Sequence, residues 1–422
     1  MIRTSNGRVA TATALVLVAG AFGALVACAE SEDTPPVDPS NVTGADASGA
    51  TLPEAAPPST SEDAGAPDAD ADGPQDAETD GPPRICSDDN FCHSVLPGKH
   101  VLKGVWGDGE GIVWAVSAGG SVLRWDGDAW SEHTSGLSEL ARIWGSGPTD
   151  IWLVATDGTV YRGTGASSSA VAFSAVTLPG DATVPIKCIW GTGPDDIWAV
   201  GGKQPMGWLD WPYPATGRAV HYTGADAGWV VDEELSARAM AYENVWGSPS
   251  SGLWLEGTVE ADSAGVVTAP VIRRAPGSST WVQFDLPPDP QADFAPKAQT
   301  IGAVAVLPGN QIWAVGRTYE RAAFWRGTSG DEGQTFDWTF LGQLAWEPQV
   351  NALWGTAPND LWAVGQPGRV THWNGSKWQQ AAIRVTNTPV TTAFYGIWGT
   401  SSDDFWVVGD NAALHKTTGT KP

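Results

Sequence analysis

Four aspartates recur two residues ahead of a Trp, Asp150, Asp196, Asp360 and Asp404, and paired carboxylates are the equipment of glycoside cleavage. Each of the four sits in a Gly/Pro/Asp-type turn beside a strand, where an Asp that accepts backbone N–H bonds shapes the turn, so structure accounts for them. A second group is aromatic. Met206-Gly207-Trp208-Leu209-Asp210-Trp211-Pro212-Tyr213 sets Trp208, Trp211 and Tyr213 beside an acid and prolines, and Trp346, Tyr319 and Arg321 stand in comparable positions further along. Such a composition suits stacking on sugar rings or gripping a protein partner; it equally suits a loop that folds down on its own sheet, and Tyr319, Glu320 and Arg321 equally suit a solvated loop.

Metal and cofactor chemistry find little to work with. The six His are scattered, none at ligand spacing to a second His or Cys, so no metal site is expected. Asp68, Asp70, Asp72 and Gly73 imitate the opening of a calcium loop, but Thr79 stands where a bidentate Glu is required. Without a nucleophile elbow or a phosphate loop, no cofactor and no enzyme are expected. The chain of 422 residues carries 48 acidic against 23 basic side chains, a net charge of −25. Nucleic acid is excluded as a partner, because phosphate binding needs clustered Lys and Arg.

The N-terminus reads as an address. Arg3 and Arg8 precede an apolar run from Val9 to Ala27, too short and wrongly flanked for a spanning helix. Its end, Leu25-Val26-Ala27-Cys28, resembles the bacterial lipobox, which implies a signal peptide over 1–27 and a lipid on Cys28 that holds the protein at a membrane. Ala29 after that Cys implies, by the same resemblance, sorting to the outer membrane of a bacterial cell envelope. Residues 29–84 hold 14 Asp or Glu, one Arg and no aromatic, with Pro, Ala, Gly, Ser and Thr making up most of the rest. Nothing there can form a core, so 28–84 is expected to be a disordered, acidic tether. Export permits disulfides, and Cys86 with Cys92 is the expected pair; Cys188, inside an apolar strand pattern, is expected to be a buried free thiol.

The elements that must position all of this come from one repeated phrase. Ile143-Trp144-Gly145 is followed by Asp150-Ile151-Trp152, and Ile189-Trp190-Gly191 by Asp196-Ile197-Trp198. The same interval of eight separates Trp106 from Trp114, Trp246 from Trp254, Trp354 from Trp362 and Trp398 from Trp406, with Ala305 and Trp313 as a degenerate copy. Seven units at a mean period of about 49, each with four strand signals and no helical period, predict an all-β, seven-bladed β-propeller over 85–422. A ring of sheets leaves an open seam unless both chain ends share a blade. After Trp406 the chain offers one strand, Ala412 to Thr417, and Phe91 to Leu96 supplies the missing fourth, so the last blade is expected to be closed by an N-terminal strand.

The phrases Trp-Gly, Asp-Ile-Trp-x-Val and aromatic-x-Gly-x-x-Trp resemble tectonin-type repeats and, more loosely, Kelch repeats, over residues 86–422. That resemblance implies carbohydrate or bacterial surface glycans as ligands, although the blade number and the long inserted loops depart from the family. Ser329-Gly330-Asp331-Glu332-Gly333-Gln334-Thr335-Phe336 matches the Asp-box of sialidase-like propellers, a turn-stabilising motif in enzymes and non-enzymes alike. The extra lengths gather in the second-to-third-strand loops and the blade-to-blade connections, which emerge on one face, and insertions on one face of a repeat protein mark its binding face. The function expected is a monomeric, lipid-anchored binding or scaffolding propeller with an envelope glycan or protein as partner; the alternative is a propeller glycosidase or lyase.

Overall fold

A computed structural model describes residues 85–204, 214–259, 267–290, 297–318, 322–342 and 349–418. Their β-branched and aromatic runs form seven four-stranded antiparallel sheets, each built from consecutive strands except the last. Blade two is typical, with strands Leu140–Gly147, Asp150–Ala155, Val160–Thr164 and Ala172–Val176. In the seventh sheet Phe394–Ser401, Asp404–Gly409 and Ala412–Thr417 are completed by Phe91–Ser94 from the other end of the chain. The first strands of consecutive blades touch all the way round, the seventh against the first, so the ring is closed. Helix is confined, among the described residues, to the single turn Glu233–Ser236 and a short 3₁₀ segment, Ser168–Ala170.

Register explains the paired indoles. Trp106 lies directly opposite Trp114, Trp144 opposite Trp152, Trp190 opposite Trp198, Trp246 opposite Trp254, Trp354 opposite Trp362 and Trp398 opposite Trp406, with Ala305 opposite Trp313. Directly opposed residues share one face of a sheet. Each pair therefore points at the same neighbouring blade.

The second-strand indole of every blade inserts among the outer aromatics of the next. Trp114 meets Phe173, Trp152 meets Trp229, Trp198 meets Trp281, Trp254 meets Phe336 and Trp338, Trp313 meets Trp378, Trp362 meets Phe91 and Phe405, and Trp406 meets Trp125 and Trp130. All seven interfaces, including the one that closes the ring, use this edge-and-face packing of large rings, which buries more area than aliphatic side chains would.

The Gly after the first-strand indole has a steric reason. A Cβ at Gly107 would fall 2.3 Å from the ring of Trp398, one at Gly145 2.7 Å from Trp106, and one at Gly191 3.0 Å from Trp144. In these blades the Trp-Gly phrase is thus a ring on one blade lying over a bare backbone on the next. A disulfide joins Cys86, just ahead of the closing strand, to Cys92 within it. Cys188 is buried as expected but is disulfide-bonded in this structure, not a free thiol. Sequence position reported its burial and carried no information about which sulfur would reach it.

Candidate functional site

The repeated aspartates fall at the turn between first and second strands, on the face opposite the insertions. In blades two, three, six and seven the first strand carries a bulge just before this turn, at Ser146, Thr192, Thr356 and Thr400. Each of these hydroxyls donates to the Asp four residues on: Ser146 to Asp150 at 2.5 Å, Thr192 to Asp196 at 2.5 Å, Thr400 to Asp404 at 2.6 Å, and Thr356 to Asp360. The other carboxylate oxygen receives a third-strand side chain. His221 meets Asp196 at 2.6 Å, His372 meets Asp360 and His415 meets Asp404 at 2.8 Å, and Arg162 donates to Asp150 at 2.7 Å.

Each imidazole also lies flat on its blade's second-strand indole, His221 on Trp198 at 4.0 Å, His372 on Trp362 at 4.2 Å and His415 on Trp406 at 4.3 Å; Arg162 lies over Trp152 at 4.8 Å. The aspartates therefore bind side chains of the bulge and the third strand, where backbone N–H groups were expected. The bulge has re-aimed a hydroxyl at them. They are structural clamps between three strands.

Their acid response follows from these bonds. Burial pulls the Asp360 carboxyl upward, but hydrogen bonds from His372, Thr356 and Ser402 outweigh it and hold the group at about 2. Hydrogen bonding, foremost from His221 and His415, likewise lowers Asp196 and Asp404. A carboxyl depressed in the folded state stabilises fully above its unfolded value near 3.8 and loses that contribution as pH falls through the folded value. Stability to urea is expected to drop between about pH 4 and pH 2. Asp360→Ala should cost about 2–3 kcal/mol at pH 7, through lost charge-assisted bonds, and should flatten this acid limb. A urea series at several pH values reads both effects.

The sequence-predicted Trp208, Trp211, Tyr213, Tyr319, Arg321 and Trp346 all lie outside the described residues, as do Cys28 and the acidic 68–79 segment. Strand ends beside the insertions of blades three and four, on the face opposite the aspartate turns, are described. Lys203 pairs with Thr216 where the blade-three insertion leaves its hairpin, and Val259 bridges Thr268 at the matching place in blade four. The connection entering blade three is clamped there by Arg218, a buried guanidinium donating to Leu178, Pro179 and Val184 carbonyls at 2.6, 2.7 and 3.3 Å.

A feature missed in the sequence lies near the same face. Every first strand carries a bulge early in its length, which in blades two, three, six and seven is separate from the one before the turn, and its extra residue stands three before the first-strand indole, or before Ala305. Lys103, Lys187 and Tyr395 occupy it in blades one, three and seven, each partly exposed in an otherwise buried run, with Ala141 and Gly302 partly exposed in blades two and five. Both faces of these inner strands are covered by neighbouring blades, so the exposure is toward the axis of the ring.

Glu243 and Asn351 hold the position in blades four and six and are buried. Gln204 donates to Glu243 at 3.0 Å, and Asn351 donates across to the Phe394 carbonyl at 2.7 Å. Asn244, beside Glu243, donates to buried Glu256 at 2.9 Å and to the Ile301 carbonyl of blade five at 3.0 Å. The signal available in the sequence was the polarity of this one register position amid Val, Ile and Leu.

A scan against protein-family models matches none, and a search of curated proteins finds no match. Among solved structures the chain is similar to YCF48 bound to a D1 peptide, at 15% identity and a TM-score of 0.53, over 78% of this chain and 97% of that one. It is similar to YCF48 from Cyanidioschyzon merolae at 15% identity and a TM-score of 0.51, over 78% and 98%. A structure of U3-55K matches at 9% identity and a TM-score of 0.48, over 77% and 98%. With the seven sheets and their closure, the likeness to the two YCF48 structures establishes the architecture: the chain folds as a seven-bladed β-propeller.

Proposed function

We propose that the protein is a non-catalytic binding platform: a propeller tethered by residues 28–84 at a bacterial outer membrane, after removal of 1–27, through a lipid on Cys28 whose thioether takes that sulfur out of disulfide chemistry, so that the Cys188 disulfide belongs to the unlipidated chain. It presents its insertion face to an envelope protein. The observation that carries the binding reading is the division of labour between the two faces. The face with the tight first-to-second-strand turns uses its repeated carboxylates, imidazoles and hydroxyls on one another, while the extra lengths leave strand ends on the opposite face. A platform that must hold loops for a partner needs a rigid ring beneath them. YCF48, similar in fold, has been seen with a peptide, which favours protein over glycan as the partner class. The resemblance to tectonin-type repeats keeps carbohydrate as the second reading.

One set of samples tests both parts. Full-length protein and its Trp208→Ala/Trp211→Ala variant are crosslinked in envelope preparations and applied in parallel to a glycan array. A single envelope protein captured by the parent and lost at least about tenfold in the variant supports the protein platform. Array binding lost in the variant moves the reading to carbohydrate, and retention by the variant of every ligand found removes the insertion face as the site. Labelled palmitate incorporated by the parent and absent from Cys28→Ser supports the anchor.

A further inference from the structure

Around the axis, the early bulges of blades seven, one, two and three bring Tyr395, Lys103, Ala141 with its neighbour Arg142, and Lys187 to one level. Small residues next to the bulges let the inner strands close in. A Cβ on Gly396 would lie 3.3 Å from the Gly104 backbone, and one on Gly104 3.6 Å from the amide of Ile143 in blade two. Lys103 and Tyr395 are consequently side by side, the ammonium 3.9 Å above the phenol ring.

Charge at this level runs against composition. From residue 85 onward the chain has 34 acidic and 20 basic side chains, yet these four blades place two lysines and no carboxylate at this position, with Arg142 one residue further on in blade two. The ion pairs among the described residues involve neither Lys103 nor Lys187. The acid at the same register, Glu243 in blade four, is buried and accepts from Gln204.

Partly buried lysines held at one level attract an anion, and N–H donors that are themselves charged bind a carboxylate about twice as strongly as neutral ones. The acidic remainder of the propeller opposes polyanions and tolerates a single charge. The face of Tyr395 is already covered by Lys103, so it offers no bare ring for a sugar to stack on, whereas each bulge residue leaves ladder groups unpaired that extended backbone can use. We propose that this end of the axial channel binds the free C-terminal carboxylate of an extended peptide. The proposal deepens the reading of the chain as a protein-binding platform and rests on it.

The test immobilises the full-length protein and applies a pool of N-acetylated random hexapeptides, either with free C-termini or amidated, with retained peptides counted by mass spectrometry. Retention of the free-acid pool at least about tenfold above the amidated pool is expected, falling to the amidated level in Lys103→Gln/Lys187→Gln. Acetic anhydride labelling of the unaltered protein supplies a readout independent of the variant's folding: bound free-acid peptides should slow modification of Lys103 and Lys187 and leave Lys377 unchanged. Equal retention of the two pools, unchanged labelling of both lysines, or tri-galacturonate protecting them where the peptides do not would overturn the proposal. Trp208→Ala/Trp211→Ala separates the two readings. If it abolishes partner capture but keeps the free-acid preference, the channel site stands alone; if capture persists while that preference is absent, only the channel site fails.

Discussion

Phe91→Ala is expected to destabilise the propeller by about 3–5 kcal/mol, the cost of removing a fully buried phenyl ring where the cavity cannot collapse. The effect is large because Phe91 acts at the seam. It lies on the only strand contributed from the other end of the chain, packed edge-on against Trp362 of blade six at 5.8 Å and Phe405 of blade seven at 5.7 Å, with the Lys416 ammonium 5.4 Å above it. Its strand pairs through Phe91–Lys416, Cys92–His415, His93–Leu414 and Ser94–Ala413, and the His93 imidazole meets the Ile383 carbonyl at 2.8 Å. Deleting residues 85–96 removes these links together and exposes the edge of Ala412–Thr417, a template for pairing with other chains. Urea melts followed by indole fluorescence should show the loss for Phe91→Ala, and light scattering should show association of the deletion. A Phe91→Ala protein with unaltered stability would mean that the ring holds without its closing strand.

Arg273→Met is expected to cost about 3–4 kcal/mol, more than its size suggests, because it leaves buried carbonyls without a donor. Arg273 is a buried third-strand residue of blade four. Its guanidinium donates to the Ser251 carbonyl at 3.0 Å, to the Gln334 carbonyl at 2.7 Å and to the Gly333 carbonyl, and lies 4.7 Å over Trp254 and 4.8 Å over Phe336. Those partners belong to two blades: Trp254 to blade four, Gly333 and Phe336 to blade five. The Asp-box is thus both a turn and a receptor for a neighbour's arginine. Asp331 organises it, accepting from Ser329 at 2.8 Å and from the Thr335 hydroxyl at 2.6 Å, and the bonds led by Thr335 hold its carboxyl at about 2. Comparing Arg273→Met with Asp331→Ala and the double variant measures the coupling. Additive losses would show that the motif and the arginine act independently.

What was legible in the sequence was what repetition makes redundant. The interval between indoles fixes an antiparallel hairpin register, and seven copies of it imply a ring. Phe91 and Ala412–Thr417 could be assigned to one blade because a closed ring has no spare strand. The Asp-box, between the third strand Ala322–Thr328 and the fourth strand Asp337–Gly342, was legible for the same reason. The roles of the single positions were less so. Asp196 and its equivalents were read as backbone acceptors because a turn Asp ordinarily is one; the bulge at Thr192, invisible in spacing, gave that oxygen a hydroxyl instead. Cys188 showed an apolar context and nothing of its bonding.

The amino-acid sequence by itself determined the blade count, the blade boundaries and the shared last sheet, since these follow from the period of a pattern and from the need to leave no sheet edge open. Only the tertiary structure decided which residues reach across blades and which turn toward the axis. Lys103, Lys187 and Tyr395 are far apart in the chain, and one extra residue in each inner strand, a local change of backbone direction that residue spacing does not disclose, brings them to a common level.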